Sequence, residues 1–163
     1  MDYLYAPWRT EYIIGKKIKG CVFCHISQHS ELDKESHILF RDKHCFIVMN
    51  KYPYTPGHFM IIPHFHVDSL EKLDFEVWMR MSQLTQSGVA MLKDGFGADG
   101  VNLGMNLGSA AGAGIAEHIH LHLVPRFFKD TNFITTVANT RVYSTNFQKI
   151  YEKLKDLGAK YFN

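Results

Sequence analysis

The stretch Glu117-His118-Ile119-His120-Leu121-His122-Leu123-Val124 alternates imidazole with aliphatic side chains. In a strand, successive side chains point to opposite faces, so Ile119, Leu121 and Leu123 would enter the core. His118, His120 and His122 would then project together from the other face, each ~6.6 Å from the next. Three imidazoles in register suit two chemistries. They can ligate a metal, or a neutral imidazole can act as nucleophile while its neighbours supply protons and charge. The segment just upstream, Gly108-Ser-Ala-Ala-Gly-Ala-Gly114, must be a loop, since so many glycines favour neither helix nor strand. Its backbone N–H groups would form a nest for an anionic oxygen. A nest joined to a histidine strand points to phosphate. The sequence offers no compact Asp/Glu cluster for magnesium, because Asp94 and Asp99 stand apart on a helix end and a turn. Such a site would neutralise phosphate with N–H groups and imidazoles rather than with a hard cation.

Cys21-Val-Phe-Cys24 is the other chemical motif. Taken alone, it leaves three readings open. A redox pair wants a strand-then-helix context with the cysteines at the helix N-terminus, which the flanking pattern does not offer. A structural zinc site needs two more ligands, typically imidazoles. Buried apolar thiols are the third reading. Cys45, between strand residues, reads as core.

The elements that must position these groups follow from periodicity. Residues 1–20 form an irregular, aromatic and basic arm, and a polar stretch runs from the cysteines to about Ser36. His37–Arg41 and Cys45–Met49 read as strands joined by the Asp42-Lys43 turn. Two prolines and a glycine make Tyr52–Gly57 a turn, after which His58–Ile62 is a third, buried strand. Asp68 with Glu71 resembles a capping box opening a long helix, whose apolar stripe Leu70, Leu73, Val77, Met81, Leu84, Met91 runs to Lys93. Val101–Leu107 and His118–Val124 are further strands, the last ended by Pro125. Phe147–Leu157 is a short C-terminal helix. Hairpin strands around one long helix make an α+β domain with an antiparallel sheet.

The chain has 163 residues, so the prior of about 150 residues per domain gives a single domain, 1–163. Hydrophobic residues at 46% and charged residues at 21% exclude disorder and coiled coil. The net charge of +2 argues against a nucleic-acid surface. No apolar run approaches the ~20 residues of a membrane span, and the N-terminus lacks a signal-peptide core. Three cysteines are a poor disulfide framework, so a reduced, cytoplasmic protein is expected.

His118-Ile-His120-Leu-His122-Leu-Val124 resembles the signature of the histidine triad (HIT) family. Asn50 to His58, Ile61 to Pro63 and Asn106 to Arg126 extend the resemblance over most of the chain. It implies an α+β homodimer that binds adenine nucleotides and transfers or hydrolyses nucleoside monophosphates. Pro7 to Tyr12, Asn50 to His58, Ala116 to His118 and Asp130 to Ile134 are similar to the bacterial diadenosine-tetraphosphate phosphorylase type. That type splits the dinucleotide with inorganic phosphate into ADP and ATP. By resemblance, His120 is the nucleophile, forming a nucleotidyl-imidazole, His122 contacts the phosphate and His118 supports the site. Asn50 stands where relatives bind the ribose, and Asn106 opens the phosphate loop. Hydrolase-like relatives place Gln or Ser shortly before the triad, where this chain has Gly114, and Ser109 is the hydroxyl that would substitute. An imidazole near its ordinary pKa of ~6.5 is largely neutral at pH 7 and able to attack without a separate base.

Relatives also carry an N-terminal cysteine pair completed by a histidine after an Ile-Pro and by the first triad histidine. The resemblance therefore implies a structural zinc on Cys21, Cys24, His66 and His118, with His64 the rival for the third place. Two other functions stay open: hydrolysis of adenosine phosphoramidates or dinucleoside polyphosphates, and a zinc-dependent binding module without turnover. Phe46 and Val48 read as core or adenine pocket. Arg126 and Lys129 are placed to meet a distal phosphate or are surface charge, and Trp8 and Tyr12 cover the site or pack the arm.

Overall fold

Asp42 builds the first hairpin, its carboxylate accepting from the main-chain N–H groups of His44 (2.8 Å) and Cys45 (3.0 Å). A carboxylate capping two amides in this way fixes a tight turn. The computed structural model describes residues 20–128, 130–139 and 145–162. In chain order it has α1 (Val22–Gln28), β1 (Ile38–Arg41), β2 (Cys45–Met49), β3 (Phe59–Pro63), α2 (Phe75–Ala90), β4 (Gly100–Gly104), β5 (Leu121–Arg126), α3 (Phe133–Ala138) and α4 (Phe147–Tyr161). The strands form one antiparallel five-stranded sheet in the order β1-β2-β3-β5-β4. This is the expected α+β architecture.

The two faces of the sheet are filled differently. One buries Ile47, Met49, Phe59, Ile61, Leu121 and Leu123 against Met81 and Leu84 of α2 and Tyr151 and Leu154 of α4. Gly88 lets α2 lie close: a Cβ there would sit 2.8 Å from Leu123 Cδ2 and 3.1 Å from Phe59 Cζ. The other face carries Phe46, Val48, Met60 and Ile62, covered by Phe23 of α1. Because Met60 stands opposite His122 in the ladder, His122 shares this second face. Phe46 and Val48 lie in the core beneath α1, and Cys45 lies in the core on the opposite face. Among the described residues, no helix is long and apolar enough to cross a membrane.

Several boundaries differ from expectation. The long helix opens at Phe75, not at Asp68: Asp74 is its cap, accepting from Glu76 N and Val77 N, while Asp68 pairs with Lys72 at 2.9 Å. Leu70–Lys72 is a single 3₁₀ turn, and Leu73 is extended, so the apolar spacing continued across a break. The far end winds on as π-helix from Met91 to Phe96. The polar stretch after Cys21 holds a helix, α1, which propensity hides because tertiary contacts supply its stability. β4 stops at Gly104 rather than Leu107. β5 starts at Leu121 rather than His118 and passes through Pro125 to Arg126. Proline is tolerated there because β5 pairs with β3 only as far as Leu123. Thr55 then donates its hydroxyl to the Pro125 carbonyl at 2.7 Å on that side. The C-terminal helix begins at Phe147 as expected and runs to Tyr161.

Candidate active site

Of the three histidines, only His122 belongs to the ladder. The lead-in to β5, which carries His118 and His120, is pinned by Ile119 N donating to Val67 O at 2.8 Å. The rings of His120 and His122 meet edge to face at 4.8 Å. Phe23 of α1 packs against both His118 (5.5 Å) and His120 (5.1 Å). His120 and His122 thus form a ring pair, and His118 faces the cysteines.

Hydrogen bonds decide which nitrogen of each ring holds a proton. A carbonyl can only accept, so the 2.9 Å contact from His120 Nδ1 to His118 O places the proton on Nδ1. That leaves an in-plane lone pair on Nε2. His120 is 6% exposed, and burial lowers its pKa, so the ring is neutral at pH 7.

His58 sets His122 by the same logic. The main-chain N–H of Tyr54 donates to His58 Nδ1 at 3.2 Å, which puts the His58 proton on Nε2. His58 Nε2 lies 2.9 Å from His122 Nδ1 and donates to it, so His122 carries its proton on Nε2 and offers it to the open face. Burial first, then His122 and His120, push His58 down to about 3. Burial and His120 push His122 down to about 4. The site therefore presents one lone pair and one N–H from adjacent neutral imidazoles, a set that can attack phosphorus and hydrogen-bond a phosphate oxygen.

His58 did not stand out as a site residue in the sequence. The signal was available: it is the one polar side chain at the head of the apolar run Phe59–Ile62, and it is fully buried. Gly57, with φ +89°, makes the turn that delivers it, and a Cβ there would lie 2.6 Å from Phe96 Cε1.

Asn50 sits beside His58, its Nδ2 3.4 Å from both ring nitrogens, and its Oδ1 accepts from Tyr52 N at 2.9 Å. Asn106 is half-buried after β4, while Ser109 and Gly114 are exposed on the loop. The glycine loop is a narrower cradle than expected. Ala111 N and Ala113 N donate to Gly108 O, and Gly112 N donates to Ser109 O. None of these three amides can serve an anion without losing its own bond.

The cysteines come together with the histidines that the resemblance implied. The ligand atoms of Cys21, Cys24, His66 and His118 all lie within 4.8 Å of one another. His118 Nδ1 is 3.4 Å from Cys21 Sγ and 3.6 Å from Cys24 Sγ, and His66 Nδ1 is 3.1 Å from Cys24 Sγ. A tetrahedral zinc with bonds of ~2.3 Å to sulfur and ~2.0–2.1 Å to nitrogen has edges of roughly 3.3–3.8 Å, so the four residues fit that ion. His118 Nε2 donates to Pro63 O at 2.9 Å, which fixes the tautomer with the Nδ1 lone pair facing the thiols. His64 is otherwise engaged, with Ser27 Oγ at 2.7 Å and Asp42 O at 2.9 Å. The cysteine pair does stand at a helix N-terminus, with Cys21 capping α1. Burial and the neighbouring Cys21 nevertheless push the Cys24 thiol up, the reverse of an activated redox thiol.

The arm with Trp8 and Tyr12, and Lys129, lie outside the described residues.

The HIT domain pattern matches residues 31–129. The chain is 35% identical over 148 residues to AP-4-A phosphorylase of Mycobacterium tuberculosis, covering 85% of this chain and 75% of that protein. It is 34% identical over 111 residues to an adenylylsulfatase of Arabidopsis thaliana, covering 68% and 54%. Its fold superposes on a zinc-bound histidine triad family protein of Mycobacterium smegmatis with a TM-score of 0.71 and 28% identity, covering 86% and 94%. The chain belongs to the HIT domain family.

Proposed function

We propose that this protein is a nucleotidyl transferase that splits diadenosine tetraphosphate with inorganic phosphate, giving ATP and ADP, through a nucleotidyl intermediate on His120. The observation that carries the reading is the His120 Nδ1 bond to His118 O, which leaves Nε2 free and unprotonated. Similarity to AP-4-A phosphorylase supports the choice of substrate.

In the first half-reaction, His120 Nε2 forms a bond to the α-phosphorus as the bond from phosphorus to the bridging oxygen breaks. The departing oxygen keeps that electron pair and leaves as part of ATP. His122 Nε2–H donates a hydrogen bond to a phosphate oxygen. In the second half, an oxygen of inorganic phosphate bonds to phosphorus, the P–N bond breaks and its pair returns to His120, releasing ADP. Splitting one transfer into two steps lets the acceptor enter second.

Cys21, Cys24, His66 and His118 would hold a zinc that ties α1 to the lead-in of β5. With four protein ligands it would be structural and leave no open position for water. A homodimer is part of the same reading: on the edge strand β4 Leu103 is 51% exposed and just beyond it Leu107 is 43% exposed, a surface that a second copy would cover. Sedimentation analysis of Leu103→Lys tests it, with a monomer expected.

Incubation with the dinucleotide, with and without phosphate, tests the reaction. ADP plus ATP formed only with phosphate is expected. AMP released without phosphate would instead support hydrolysis.

A further inference from the structure

Past His122, the open face of β5 continues through Val124 to Arg126. Gly104 stands opposite His122, Asn102 opposite Val124 and Gly100 opposite Arg126. Tyr54, Thr55, Asn102, Val124 and Arg126 line a cavity of about 260 Å³. It begins one same-face step, ~6.6 Å, beyond His122. The flanking glycines keep it open: a Cβ on Gly104 would meet nothing within 4 Å, and one on Gly100 only Arg126 Cβ at 3.9 Å.

Two side chains in this cavity are arranged for a ligand. The guanidinium of Arg126 is held on two sides. Nε and Nη2 donate to the Asp130 carboxylate at 2.6 and 3.1 Å, and Nη1 donates to Asn102 Oδ1 at 2.9 Å. Those bonds use three of the five N–H groups of an arginine, and two remain. A side chain that would ordinarily sweep through solvent is thereby fixed before any ligand arrives, which lowers the entropy cost of binding. Tyr54 is 61% exposed, packs over His58 with ring centroids 4.8 Å apart, and lies 6.1 Å from the ring of His122. An exposed aromatic face beside a phosphate site is a stacking platform for a base.

We propose that this cavity is the subsite for the departing half of the substrate, a nucleoside polyphosphate. The two remaining N–H groups of Arg126 would hold its non-bridging phosphate oxygens, and Tyr54 would stack its base. The inference rests on the reading of His120 as nucleophile. In an in-line displacement the departing oxygen leaves on the side of phosphorus away from the attacking atom. On the face of β5 that carries His122, Val124 and Arg126 come next, so a departing chain that runs along this face from His122 would reach Arg126. The bond from phosphorus to the bridging oxygen breaks with its electron pair passing to that oxygen, so negative charge develops on the group that the arginine faces. Asp130 tempers the positive charge of Arg126, which suits a subsite that must release its occupant after each turnover.

The test compares three substrates on one protein: diadenosine tetraphosphate, adenosine tetraphosphate and adenosine 5′-phosphoramidate, whose leaving group has neither phosphate chain nor base. In Arg126→Met, kcat/KM for either tetraphosphate divided by that for the phosphoramidate should fall about tenfold or more, the effect of losing a charge-assisted hydrogen bond. Each ratio is taken on one preparation, so the fraction of active protein cancels. Asn102→Ala, at an exposed position, should lower the same ratios in the same direction and serves if the arginine variant does not fold. Tyr54→Leu should lower only the ratio of dinucleotide to adenosine tetraphosphate. If the wild-type protein turns over none of the three, the reading of His120 fails and this inference with it. If it turns them over and Arg126→Met, or Asn102→Ala in its place, leaves the ratios within twofold, this inference alone is overturned.

Discussion

His58 Nε2 and His122 Nδ1 are joined by one hydrogen bond of 2.9 Å, and through it the main chain at Tyr54 sets the proton on His122. His58→Ala should lower kcat about 10–100-fold with little change in KM, the usual effect of removing a group that orients an active side chain. His58→Gln, whose amide can accept on one side and donate on the other, should recover most of that loss. Steady-state kinetics on the two variants, with the ¹⁵N shifts of the His122 ring, check it. An unchanged kcat in the alanine variant would refute the relay.

His120→Ala should reduce turnover at least ~10³-fold, as loss of a nucleophile does, while bound zinc stays at the wild-type ratio. Product assay and metal analysis on the same sample decide the matter. Loss of the metal together with activity would favour the binding-module reading.

Removing zinc should loosen the fold as well as the site. A chelator, or Cys24→Ala, should lower Tm by about 5–10 °C, the shift expected when about 2.7 kcal/mol of ligand stabilisation is lost from a chain this size. His64→Ala should leave zinc stoichiometry at the wild-type value, because that ring bonds Ser27 and Asp42 instead. Calorimetry and metal analysis separate the two histidines.

Stability should fall on the acid side of neutrality. His58 and His122 have folded pKa values of about 3 and about 4, below the ~6.5 of an unfolded histidine. The unfolded chain thus binds protons that the folded chain refuses. The stabilisation is complete above pH ~6.5 and is lost as pH falls towards 3–4, at up to about 1.4 kcal/mol per pH unit for each ring. Urea midpoints at pH 7 and pH 5 should show the drop. His58→Gln should flatten it by about one proton.

Asp74 and Asp68 offer a check on the helix boundary. Asp74→Ala should cost about 1 kcal/mol and about 2–4 °C in Tm, whereas Asp68→Ala, on an exposed pair, should melt with the wild type. Thermal melts of the two variants distinguish them.

Apolar runs bounded by turn chemistry made most of the sheet legible in the sequence, since Cys45–Met49, five apolar residues after the Asp42-Lys43 turn, is found as read. The helix start was misread because Asp68 and Glu71 satisfy a local capping pattern, while the chain spends the next turn in 3₁₀ form and caps at Asp74 instead. The cluster of Cys21, Cys24, His66 and His118 was legible only through resemblance. Spacing alone does not reveal that Cys24 and His66, 42 residues apart, meet at 3.1 Å. The tautomers of His120 and His122 were beyond reach because they depend on a carbonyl and an amide whose positions only the folded main chain fixes.

His118 works with two different parts of itself: its ring faces the thiols, and its carbonyl holds the ring of its neighbour His120. On the reading proposed above, metal supply and chemical competence would share one hinge point. A cell starved of zinc would then keep much of this protein intact yet idle, and restoring the ion would revive it without new synthesis.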